Sequence, residues 1–161
     1  MFRQASARLR WKTEMEIPVL ISVAGTQRFA GMESETIELV TNGTYRYEPG
    51  LATISYVETE MTGLEGVVTT FTVEDGKKVT LRRTGKVNST MVFVLGQKDE
   101  SLYDCGAGAL MIGVCATQMT VLLNERGGVL DLEYSIELER SVSATNLCHV
   151  EIRPAATAVI E

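Results

Sequence analysis

The chain reads as all-β: one domain whose strands close into an antiparallel up-and-down β-barrel of about eight strands. Three observations predict this. Apolar residues recur at every second position, the period of a half-buried strand. Turn dipeptides separate these runs at intervals of about 8–12 residues, the spacing of sandwiches and barrels. Fourteen glycines and three prolines among 161 residues suit short strands and tight turns.

Residues 129–139 alternate most clearly. Leu130, Leu132, Tyr134, Ile136 and Leu138 share one face, while Asp131, Glu133, Ser135, Glu137 and Glu139 share the other. A helix would mix these sets. The first strand places Ile17, Val19, Ile21 and Val23 together, and Ile37 and Leu39 mark the second. Ile54, Tyr56 and Glu58 share a face in the third; Val67, Thr69, Phe71 and Val73 in the fourth; Val79, Leu81 and Arg83 in the fifth. Val87, Ser89, Met91, Phe93 and Leu95 follow in the sixth, then Leu110, Ile112 and Val114, then Met119, Val121 and Leu123. Cys148, Val150 and Ile152 form the last inner face, with His149, Glu151 and Arg153 opposite. Asn42-Gly43, Asp75-Gly76 and Gly127-Gly128 are hairpin signals, and Pro49-Gly50 suits a type II turn. Barrel closure would remove the edges that invite aggregation.

Residues 1–16 stand apart as an N-terminal extension before the barrel domain at 17–161. Arg3, Arg8, Arg10 and Lys12 precede the first acid, Glu14, without an apolar secretory core. Three readings stay open there: a disordered tail, a short helix, or a natural start at Met15.

The net charge of −6 argues against a nucleic-acid partner. No run approaches the roughly 18 apolar residues of a membrane helix, so no membrane partner is expected. Three cysteines, an odd and sparse set, fit reduced thiols and a cytoplasmic location.

Several stretches resemble one family: Ile54-Ser55-Tyr56-Val57-Glu58-Thr59, Leu64-Glu65-Gly66, Leu81-Arg82-Arg83-Thr84-Gly85, Met91-Val92-Phe93 with Gly96, Tyr103, Gly108-Ala109-Leu110-Met111-Ile112, and Gly127 through Tyr134. In order and spacing, over roughly residues 17–153, they resemble the YwiB-like bacterial proteins, calycin-type (lipocalin-like) β-barrels. The resemblance implies a closed barrel of about eight strands and carries over no activity.

Two polar residues break the apolar faces. Glu58 follows Ile54 and Tyr56, and Arg83 follows Val79 and Leu81. If both faces point inward, the barrel interior holds an acid and a base, and isolated buried charges cost several kcal/mol. One reading makes Arg83 the partner of a ligand carboxylate or phosphate. Glu58, Tyr56, Tyr103 and Tyr134 then supply hydrogen bonds, and Phe71, Met91 and Phe93 line the apolar part. Two others leave Arg83 paired with Glu58 internally, or place both at strand ends in water. The ligand reading predicts an enclosed cavity of roughly 300 Å³ or more.

No catalytic constellation is expected. His149 falls on a polar face, no Cys-x-x-Cys pair offers a zinc site, and Gly106-Ala107-Gly108 lacks a βαβ setting. No cofactor or metal is expected. The strand at 108–116 is apolar on both faces, which suits a covering element or a homo-oligomer contact. Function therefore reads as a non-enzymatic barrel binding a small amphipathic ligand in its lumen, with an interaction module acting through its outer surface as the alternative.

Overall fold

The computed structural model describes residues 16–29 and 31–155. The reading of 1–16 as an extension thus falls outside the described residues, apart from Glu16, which already opens the first strand.

Among the described residues, ten antiparallel strands form one sheet: β1 (Glu16–Arg28), β2 (Glu35–Glu48), β3 (Leu51–Val57), β4 (Val68–Glu74), β5 (Lys78–Thr84), β6 (Ser89–Val94), β7 (Lys98–Asp104), β8 (Ala109–Asn124), β9 (Gly127–Leu138) and β10 (Ser141–Pro154). Their order is β6-β5-β4-β3-β2-β1-β10-β9-β8-β7. This is a pair of meanders, β1–β6 and β7–β10, joined by the long β1–β10 ladder. The sheet curls until its two end strands meet, so the barrel is nearly closed and larger than the eight strands expected.

The last junction is of a different kind. Backbone bonds link β6 and β7 only at the ends, through Asn88 with Asp104 and from Gln97 N to Val94 O. Between them, Asp99 Oδ2 accepts from Val92 N at 3.1 Å, and Ser101 Oγ donates to the Thr90 carbonyl at 2.7 Å. Side chains stand where a ladder would otherwise run, a common way to blunt sheet edges.

The alternation holds along the inner faces. Val19, Ile21, Ile54, Phe71, Phe93, Leu130 and Val150 are fully or almost fully buried and fill the barrel. Tyr45, also buried, turns its hydroxyl to the Asn124 carbonyl at 2.7 Å. Tyr burial of this kind is expected to come with such a partner.

Four expectations are corrected by the strands themselves. Asn42-Gly43 is not a turn: Gly43 lies inside β2, paired with Val19 and Tyr56. A Cβ there would overlap Ile21 Cδ1 and the Ser55 carbonyl, so the glycine answers a close approach. The β8–β9 turn is Glu125-Arg126, and Gly127-Gly128 opens β9, because a side chain at Gly128 would strike the Leu122 carbonyl. The runs at 110–114 and 119–123 belong to one strand, β8, with a bulge between Ala116 and Gln118 that switches which parity faces inward. Leu95 leaves the inner face and is exposed in the β6–β7 turn. Asp75 and Gly76 do take positive φ, of 55° and 65°, as their hairpin requires.

Candidate functional site

Pairing register builds the site. One row across the sheet joins Gly43, Tyr56, Thr69, Arg83 and Ser89. All but the glycine are polar, and all point inward. The next row, two residues along each strand, is Tyr45, Ile54, Phe71, Leu81 and Met91, which is apolar apart from the tyrosine hydroxyl. A polar layer therefore caps the oily interior at one end.

Glu58 sits just past β3. Its N–H donates to the Val67 carbonyl at 2.8 Å, and its own carbonyl accepts from Gly66 N at 3.1 Å. These bonds pinch a loop whose 3₁₀ turn, Glu60–Thr62, is capped by Thr59. Glu58 as a whole is 4% exposed. It accepts from Thr62 Oγ1 at 3.0 Å and from Thr69 Oγ1 at 2.6 Å. Arg83 Nε lies 3.9 Å from Glu58 Oε2, close enough for charge attraction but too far for a hydrogen bond. That Nε is buried and has no hydrogen-bond partner.

This pair borders a cleft of about 240 Å³. Val23, Leu39, Leu64, Phe71 and Leu81 give it an apolar lining. Tyr56, Glu58, Arg83, Tyr134 and Asn146 supply polar groups. Asn146 Nδ2 donates to the Tyr134 hydroxyl at 3.2 Å, while its buried Oδ1 has no partner. Burial, then the neighbouring Glu58 charge, pushes the Tyr56 hydroxyl above the usual phenol range. Burial also raises Tyr134 and lifts the Cys148 thiol to about 11. All three stay protonated at neutral pH, as donors and not as nucleophiles.

Five of the eight residues singled out in the sequence meet here: Tyr56, Glu58, Phe71, Arg83 and Tyr134. Three lie off the cleft. Met91 is buried in the apolar row, and Phe93 lies one row deeper, its ring 4.6 Å from that of Tyr134. Tyr103 is half-buried on β7, against the core but not at the cleft. The cleft is also smaller than the cavity expected and open to the surface, because side chains fill the barrel below it. Asn146 and Thr62 were missed; the first lies in a stretch without clean alternation, the second in a loop.

His149 lies on the outer face, as its parity predicts. Its Nδ1 meets Asp131 Oδ1 and its Nε2 meets Glu151 Oε2 at 3.1 Å. The two carboxylates approach opposite ring nitrogens and do not converge on one point. Hydrogen bonds to Asp131, then Glu151, raise its pKa. The outer face of the strand at 109–116 is covered only in part: Met111 and Cys115 are half-buried, and Leu102, the register partner of Met111, is exposed; Leu110 and Leu138, which have the inward parity, are also exposed. Among the described residues no helix is long and apolar enough to cross a membrane.

Fold and cleft together define a small antiparallel β-barrel with a polar-mouthed pocket at one end. The chain belongs to the family described as DUF1934, a domain of unknown function, whose sequence pattern matches residues 21–152. Its fold is similar to the crystal structure of the ywiB protein from Bacillus subtilis, with a TM-score of 0.79 and 22% identity over 92% of this chain and 99% of that one. No curated protein matches the chain.

Proposed function

We propose that the barrel is a non-enzymatic binding protein that holds a small amphipathic molecule in the cleft, with its polar end against Arg83. One observation carries this reading: Arg83 Nε and Asn146 Oδ1 are both buried without a hydrogen-bond partner, and both residues border the same apolar-lined cleft. Buried polar groups normally find partners, and an Arg offset from its acid keeps donors available for a carboxylate or similar group. At about 240 Å³ the cleft fits a small molecule or one end of a longer one. Three free thiols favour a reducing, cytoplasmic setting.

The test is fluorescence titration with the amphipathic anion 1-anilinonaphthalene-8-sulfonate. The wild type should bind it saturably, Arg83→Met at least about tenfold more weakly while still folded, and Leu64→Trp, which fills the cleft, weakly too. Equal affinity in all three, or no saturable binding by the wild type, overturns the reading. A second reading is a homo-oligomer contact through the outer surface at exposed Leu102 and half-buried Met111, which are register partners on β7 and β8. Light scattering showing only monomer would remove it.

A further inference from the structure

A second polar recess lies across Arg83 from the cleft, where β5, β6 and β7 come together. It is open, about 460 Å³, and bordered by Arg82, Arg83, Ser89, Thr90 and Ser101 among others. Ser89 is the register partner of Arg83. It is 7% exposed, and its Oγ is buried without a hydrogen-bond partner. An unpaired buried hydroxyl is unusual, because it carries a desolvation penalty that a bound group would relieve. Arg83 borders the recess beside it.

Arg82 and Arg83 border the recess, and Asp104 is the acid among its lining residues. Of the nearby acids, Glu58 is engaged on the cleft side by Thr62 and Thr69. Asp104, which borders the recess, turns Oδ1 to Gly106 N at 2.8 Å. The Arg83 guanidinium on β5 and the Ser89 hydroxyl on β6 come from neighbouring strands, a pairing that suits a tetrahedral oxyanion with several acceptors. We propose that this recess is a phosphate-binding subsite built on Ser89 and Arg83, with Arg82 adding charge. It shares Arg83 with the cleft but stands on Ser89, which does not border the cleft.

The test titrates the full chain with inorganic phosphate against chloride and acetate at matched ionic strength, by calorimetry and by thermal unfolding. Phosphate should bind the wild type saturably and raise its Tm as concentration grows. Ser89→Ala should bind phosphate about tenfold more weakly, the loss of one hydrogen bond to a charged group. Its unliganded Tm should equal or exceed that of the wild type, since an unpaired buried hydroxyl is gone. Its affinity for 1-anilinonaphthalene-8-sulfonate should not change. If Ser89→Ala folds poorly, Arg82→Gln carries the test, because that side chain is exposed. No saturable phosphate binding by the wild type, undiminished affinity in Ser89→Ala, undiminished affinity in Arg82→Gln, or acetate binding as tightly as phosphate each overturns the proposal. Phosphate binding without binding of the fluorescent anion would instead sink the cleft reading alone.

Discussion

Replacing Arg83 by Met isolates the electrostatics of the barrel mouth. Glu58 is 4% exposed, and its carboxylate keeps two threonine hydroxyls whether or not the guanidinium is present. At 3.9 Å and an effective dielectric near 20, two unit charges attract by about 4 kcal/mol before solvation is counted. Breaking a buried pair usually costs about 3–5 kcal/mol, because one charge is left uncompensated. The Arg83 side chain is 21% exposed and offset from its acid, so the low end applies: about 3 kcal/mol, or roughly 6–12 °C in Tm. Glu58→Gln should cost less, about 1–2 kcal/mol, since the charge it strands reaches solvent. The double variant should recover about 1–2 kcal/mol relative to the sum of the singles. Urea unfolding with an unchanged m-value is the assay. A coupling below about 0.5 kcal/mol would refute the pairing argument, leaving the two charges as independent neighbours.

Two further outcomes follow from the fold. Gly43→Ala should destabilise the barrel by about 3 kcal/mol or more, because the new methyl meets the Ser55 carbonyl as well as the more yielding Ile21 side chain; a urea midpoint equal to that of the wild type would contradict it. The folded pKa of His149 lies above its ordinary 6.5, so its bonds to Asp131 and Glu151 stabilise fully below that value and fade as pH rises through the folded one. The Tm gap between wild type and His149→Gln should therefore narrow from about pH 6 to pH 9, from a contribution held to about 1 kcal/mol or less by solvent screening; a gap that widens would reverse the sign.

Much of this was legible because parity is a local property. Ile54 and Tyr56, or Leu130 and Leu132, each read their side of the sheet from residues two away. Arg83 and Glu58 could be picked out as breaks in that rhythm, and the pairing register does bring them to one mouth. What escaped depends on contacts between distant strands. β7 has the sequence Lys98-Asp-Glu-Ser-Leu-Tyr-Asp104, with little apolar alternation, because Asp99 and Ser101 turn to bond the β6 backbone. The bulge near Thr117 shifts the inner face from Ala116 to Met119, so one long strand looked like two. The β9–β10 turn uses Glu139 and Arg140 at φ of 52° and 71°. Neither is a usual residue for positive φ, so no turn signal marked it, and the start of β10 with Asn146 stayed hidden. Asn42-Gly43 misled for the opposite reason: its glycine answers crowding from β1 and β3, which local sequence does not record.

The side-chain seam between β6 and β7 has a mechanical consequence. Every other neighbouring pair must break a row of backbone bonds to separate, whereas these two part in the middle once Asp99 and Ser101 let go. The two strands are consecutive in the chain, tied by the Val94–Gln97 turn, so such a parting would resemble a cuff unbuttoned along one line and hinged at its corner. Deformation of the wall should concentrate there, beside Ser89, and leave the remaining circumference stiff.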